Sequence, residues 1–218
     1  MRDPHTANPK IDGKASFEIR LFSGIVLAGG ASRRMGRDKA LIPINGQSLL
    51  AQQVQTLHAA GASEVIVVQN LSRNRPAENL PPGVRVAWDD PAGPEAGPLA
   101  GMVAGLAIAQ GPWAAIAAVD LPHLTSRWWT KLLAVASPHQ GVVGCHPNGH
   151  FEPLAALYPV QAREKVRQQL ASGDLALQAL IRRGIAEGWM QAMTLTDVDQ
   201  AELENWNEGP MPDPPPIA

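Results

Sequence analysis

The sequence predicts one doubly wound α/β domain of Rossmann-like type, with a mostly parallel sheet and helices on both faces. Apolar runs alternate with segments of helical period from residue 24 to about 135, and such alternation implies right-handed crossovers and a parallel sheet. The runs themselves, among them Ile25-Val26-Leu27, Val65 to Val68 and A-A-I-A-A-V, are continuously apolar, as strands buried on both faces are. A chain of 218 residues, 45% hydrophobic, suffices for one such core and would be cramped for two.

Residues 1–20 carry two prolines, scattered charge and no period, and read as an extension ahead of the fold. The domain proper is expected over residues 21–208, opening with a strand that ends at Leu27. Asn45-Gly46 signals a turn, after which Leu50, Val54 and Leu57 fall at helical spacing, with Ser48 as N-cap and Gly61 as stop. Val65 to Val68 is the second parallel strand, ending in Gln69-Asn70. V-R-V-A-W is the third, and delivers Asp89 and Asp90 to the same edge. Gly97, Gly101 and Gly105 recur every fourth residue, leaving one face of the next helix bare for close packing, while Gly97-Pro98 can also meet a phosphate.

The strand A-A-I-A-A-V stops at Asp120-Leu121-Pro122, and Thr125 or Ser126 caps a helix whose Trp128 and Trp129 cover the core. G-V-V-G-C-H and F-E-P-L-A-A-L-Y read as strands joined at Pro147-Asn148-Gly149, a hairpin or edge pair beside the parallel core. Helices follow around 162–171 and 175–183, the latter capped by Asp174 and stopped by Gly184. Met193 to Leu195 makes a last strand, and Asp199 caps a final helix with Glu202 three residues on. Residues 209–218 form a proline-rich tail.

A net charge of −2 gives no footprint for nucleic acid or a membrane surface. The lone Cys145 cannot make an internal disulfide and reads as a small buried hydrophobe beside Val142 and Val143. The polar N-terminus lacks a signal-peptide core and no apolar run reaches about 18 residues, so a soluble cytoplasmic protein is expected. His146 and His150 are four apart, but Pro147 and Gly149 forbid the helix that would align them on a metal.

The chemistry concentrates in Gly24 to Leu41, G-I-V-L-A-G-G-A-S-R-R-M-G-R-D-K-A-L. A buried strand running into a small-residue loop lets the main chain approach a ligand, and free loop N–H groups can face phosphate oxygens. Arg33, Arg34, Arg37 and Lys39 add cations suited to a polyphosphate. The stretch is not a P-loop, since Lys39 is followed by Ala40 where a hydroxyl is needed, and it lacks G-x-G-x-x-G.

It resembles instead the signature L-A-G-G-x-S-R-R-M-G-x-D-K-A-L of nucleotidyltransferases with a doubly wound fold, in particular the molybdenum cofactor guanylyltransferases. That resemblance implies transfer of GMP from GTP to the terminal phosphate of molybdopterin, with release of pyrophosphate and with Mg2+ as cofactor. It implies that Leu27, Ala28, Gly29 and Gly30 contact the nucleotide mainly through the backbone, and that Asn70 and Asp90 hold the nucleoside. The seven residues from Asp90 to Gly97 favour Asp90 over Asp89.

Lys39 falls on the lysine expected to touch the transferring phosphoryl group or the leaving pyrophosphate; of Arg33 and Arg34, one is read as the clamp on the triphosphate and the other as reaching the molybdopterin phosphate or pairing with an acid. Asp120, in a D-x-P after an apolar strand, is the magnesium ligand the resemblance implies; a hard cation held mostly by phosphates needs one or two carboxylates. Arg34 is assigned to the acceptor side, with Glu152 beside it. Near the C-terminus the family has N-x-N-T-P-E-E/D-L, and Asp197 and Asp199 are read as standing where its asparagines lie near the acceptor. The expected partners are GTP and molybdopterin or the molybdenum cofactor, with a delivery protein left open. A cytidylyltransferase, a transferase for another phosphorylated acceptor, or a nucleotide-binding module without catalysis remain as alternatives.

Overall fold

The structure, a computed structural model, describes residues 21–28, 43–44, 47–70, 80–89, 97–137 and 139–206. Along the chain the elements are β1 (Phe22–Leu27), β2 (Pro43–Ile44), β3 (Gln47–Ser48), α1 (Leu49–Ala59), β4 (Glu64–Asn70), β5 (Arg85–Asp89), α2 (Gly97–Ile108), β6 (Trp113–Ala118), α3 (Ser126–Val135), β7 (Gly141–Cys145), β8 (Ala155–Pro159), α4 (Arg163–Ala171), α5 (Leu177–Ala186), β9 (Met190–Thr194) and α6 (Asp197–Glu202). The expected N-terminal extension and the tail from 209 lie outside the described residues.

Seven strands form one sheet in the order β5-β4-β1-β6-β8-β7-β9, while β2 and β3 pair antiparallel on either side of Asn45-Gly46, themselves outside the described residues. β5, β4, β1 and β6 run parallel, which is the doubly wound half. Alternate side chains serve opposite faces, as the two-residue period of a strand requires. Val26, Val67, Ala115 and Leu157 pack with Leu50, Val54, Trp128 and Trp129 of α1 and α3. Ile25, Ile66, Ile116 and Tyr158 pack with Leu99, Met102, Val166 and Leu180 of α2, α4 and α5.

Gly101 and Gly105 let α2 lie against the sheet, because a Cβ on Gly105 would stand 2.6 Å from Ile25 Cγ2 and one on Gly101 3.1 Å from Leu27 Cδ2. α1 starts as expected, Ser48 Oγ accepting from the Ala51 N–H, and stops at Ala60 before Gly61 at φ 91°.

Five local expectations need correction. The β7–β8 hairpin forms, but β8 is not an edge strand. It inserts between β6 and β7, antiparallel to both, and β9 pairs parallel with β7 and takes the edge. Gly184 does not stop α5; it lies inside the helix, where a Cβ would meet Met190 and Trp189 at 2.7 and 2.9 Å, and the turn comes at Gly188 with φ 78°. Asp174 accepts from the Ala176 N–H at 3.1 Å, which makes a local turn before the helix, and Ala176 is the N-cap. α6 is capped by Thr196, not Asp199. Cys145 also differs from expectation: it is only half-buried, at the end of β7. No described helix is long and apolar enough to cross a membrane.

Candidate active site

The parallel strands bring their carboxyl ends to one sheet edge, the place where ligands collect in open α/β folds. Register decides what meets there. Leu27 of β1 stands beside Val68 of β4 and Ala118 of β6, and Asn70 stands beside Asp89 of β5. The Ala28 N–H donates to Val68 O at 3.0 Å, so the chain is still tied to β4 at Ala28. Asp120, half-buried, follows Ala118 by two residues. Leu27, Ala28, Asn70 and Asp120 therefore share this edge, whereas Gly29, Gly30, Arg33, Arg34, Lys39 and Asp90 lie outside the described residues.

A cleft adjoins Asp120. It is lined by Ala118, Asp120 and Leu121 after β6, by His150 to Leu154 from the hairpin, by Ala176 to Gln178 at the start of α5, and by Asn205. The hairpin wall is fixed at nearly every residue. Glu152 N–H donates to Gly144 O at 3.0 Å and Ala118 N–H to Leu154 O at 2.8 Å. Trp128 Nε1 donates to Ala155 O at 2.9 Å, and the Tyr158 hydroxyl, whose pKa burial pushes up, donates to Pro153 O at 2.8 Å. Gln178 brackets Phe151, accepting from its N–H at 3.1 Å and donating to its carbonyl at 2.8 Å.

Glu152, on that wall, meets His146 Nε2 at 2.7 Å, and His146 Nδ1 lies 3.3 Å from Gln200 Oε1. His146 and His150 each have a separate partner, Glu152 and Gln178, and their ring centroids are 6.3 Å apart. Among the described residues no three His, Cys, Asp or Glu side chains converge into a self-sufficient metal cage.

The loop after Asp120 is held from two sides. Trp206 N–H donates to Asp120 O at 2.9 Å. From α1, Gln53 Nε2 donates to Leu121 O at 2.7 Å, Gln52 Nε2 to Pro122 O at 2.5 Å, and Thr56 Oγ1 to Leu124 O at 3.4 Å.

A family model described as the MobA-like NTP transferase domain matches residues 24–188. The chain belongs to that family. A probable molybdenum cofactor guanylyltransferase of Opitutus terrae is 36% identical over 193 residues, covering 88% of this chain and 93% of its own. Another, from Deinococcus radiodurans, is 37% identical over 195 residues, covering 86% and 96%. In fold the chain is similar to a nucleotidyl transferase from Methanothermobacter thermautotroptrophicus, at TM-score 0.64 and 20% identity, covering 84% of this chain and 90% of that one.

The matched region ends just before β9, so α6 has to be judged on its own geometry. Thr196 and Asp199 form a capping box: Asp199 N–H donates to Thr196 Oγ1 at 3.3 Å, and Thr196 N–H donates back to Asp199 Oδ2 at 2.9 Å. The same carboxylate accepts from Lys131 Nζ at 2.5 Å and from Arg127 Nη2 at 3.3 Å, and it has no exposure to solvent. Burial alone would raise its pKa, but the Lys131 ammonium and the Thr196 hydroxyl and amide outweigh it and hold the carboxyl at about 2.

Asp199 is thus consumed by the fold and is withdrawn from the acceptor contacts. Asp197 is exposed at the first turn of α6.

Sequence reasoning missed Gln52, Gln53, Gln178 and Asn205. A glutamine on an amphipathic helix carries no signal that separates a solvent contact from a loop clamp. Asn205 stood in a segment read only as the end of a helix.

Proposed function

We propose that the protein transfers the GMP unit of GTP to the terminal phosphate of molybdopterin, releasing pyrophosphate and forming a guanine dinucleotide cofactor. One observation carries the reading: β1, which runs into L-A-G-G-A-S-R-R-M-G-R-D-K-A-L, lies in register beside β6, which runs into Asp120. The loop that suits a triphosphate and the carboxylate that suits its metal therefore leave adjacent strands at one edge. The guanylyltransferase names of the Opitutus and Deinococcus relatives support the choice of base and acceptor.

The reaction is an in-line displacement at the α-phosphorus. A terminal phosphate oxygen of the acceptor forms the new P–O bond as the bond to pyrophosphate breaks. The acceptor is already ionised, so no strong general base is needed, and the protein's work is to align anions and offset charge.

Backbone groups of Leu27, Ala28, Gly29 and Gly30 would hold the nucleotide. Asn70 and Asp90 would bind the nucleoside, a carboxylate at Asp90 suiting the adjacent N1–H and N2–H donors of guanine. Lys39 and Arg33 would clamp the phosphates, with Arg34, Glu152 and the exposed Asp197 towards the acceptor. Asp120 would hold Mg2+; a half-buried carboxylate at a strand end fits a hard cation bound chiefly by phosphate and water. When bound, the ion neutralises charge on the phosphate oxygens. A reducing, cytoplasmic setting fits the single cysteine.

The test is pyrophosphate release by purified protein given molybdopterin, Mg2+ and each nucleoside triphosphate. Release with GTP alone is expected. Release with CTP in its place overturns the guanylyl assignment.

A further inference from the structure

The loop that presents Asp120 is gripped by one face of α1. Gln52, Gln53 and Thr56 donate to the carbonyls of Pro122, Leu121 and Leu124. Gln53 is fully buried, yet its Oε1 has no partner among the described residues. A methionine of similar size would fill that space without desolvating an amide. Leu121 O would still keep the N–H of Leu124, which donates to it at 3.2 Å.

Stability is therefore a poor explanation for an amide at this position. What the amide does fix is the direction of the carbonyl immediately after Asp120, while Trp206 fixes the carbonyl of Asp120 itself. Both peptide units following the Asp120 Cα are thus anchored, which fixes the point from which the Asp120 side chain leaves the backbone.

We infer that Gln53, assisted by Gln52, is a positioning residue that aims the Asp120 carboxylate at the metal and phosphates; this rests on the nucleotidyl-transfer reading above. Both glutamines direct their side-chain N–H groups to loop carbonyls, so they act through Asp120. α1 acts as a rigid bar that holds the Asp120 loop in place, so the metal-binding geometry is set before nucleotide arrives.

The test uses Mn2+ as a spectroscopic probe in place of Mg2+. Free Mn2+ is measured by electron paramagnetic resonance in the presence of saturating GTP, for wild type, Gln53→Met, Gln52→Ala and Asp120→Asn. Gln53→Met is expected to weaken Mn2+ binding about tenfold, the low end of the loss seen when a group that orients a metal ligand is removed. Gln52→Ala is expected to weaken it less, with metal-free GTP affinity and thermal midpoint unchanged in both.

A folded Gln53→Met variant with wild-type Mn2+ affinity overturns the inference. Should Gln53→Met fail to fold, Gln52→Ala decides in the same way, since Gln52 is only half-buried. A wild-type complex that holds no Mn2+, or an Asp120→Asn variant that holds it as tightly, overturns the metal reading and this inference with it, a pattern distinct from failure of the clamp alone.

Discussion

Asp120 and Gly141 represent two kinds of sensitive residue, one for chemistry and one for packing. Replacing Asp120 by alanine removes the half-buried carboxylate proposed to hold the metal, so turnover should fall by about 10²–10³-fold while a cooperative melting transition is kept. Steady-state kinetics beside a melting curve checks both parts, and near-normal turnover would sink the assignment. Gly141→Ala should do the reverse. The added Cβ would sit 2.2 Å from the backbone oxygen of Leu157 and 2.8 Å from Met190 Sδ, contacts that can be relieved only by moving the sheet. A loss of about 1–3 kcal/mol is expected in urea unfolding, with activity per folded molecule retained. The sequence made Asp120 visible because it opens a D-x-P directly after an apolar strand, where the resemblance implies a metal ligand. Gln53 was invisible, since its role depends on Leu121, 68 positions away in the chain.

At the level of elements, α6 is held by its cap and its charges more than by length. Thr196→Ala should cost about 1 kcal/mol, the usual worth of a capping hydroxyl, measured by chemical denaturation. Asp199 adds a pH dependence. Its carboxyl titrates at about 2 in the fold against 3.8 when unperturbed, so the ionised form is favoured by folding. Its contribution is full above about pH 4 and is lost as pH falls through about 2. Asp199→Asn should therefore lower the melting temperature at neutral pH, and the gap to wild type should close between those values. A constant gap down to pH 2 would contradict the assigned network. Elements that announce themselves locally, such as β1 with its unbroken apolar run and α1 with Ser48 and Gly61, were legible in the sequence. The ends of α5 and α6 were not. Gly184 looked like a stop but is small in order to admit Trp189, and an Asp three residues after Thr196 completes a box that a search for Asp as the cap misplaces.

For the whole molecule, thermal stability against GTP, CTP, ATP and UTP, each with and without Mg2+, reports on the assembled edge. A nucleotide at a hundred times its dissociation constant stabilises the fold by about 2.7 kcal/mol. Selective, magnesium-dependent stabilisation by GTP is expected; a preference for CTP would reassign the base, and no response to any nucleotide would overturn the reading of this edge as a nucleotide site. The parallel half was readable because its strands follow in order with helices between them. The place of β8 was not, because strand pairing across a sheet is a non-local choice that neither strand encodes alone.

That placement of β8 has a consequence for biogenesis. When the ribosome has delivered residues up to α3, β6 is paired with β1 on one side, while its other edge awaits a strand that begins only at Ala155. Until then the nascent chain displays an apolar, unsheathed edge of the kind that recruits other strands. A chain truncated at Ser137 should accumulate as aggregate when expressed alone and be rescued by co-expression of residues 138–218, with β8 acting as the missing seam between the two fragments.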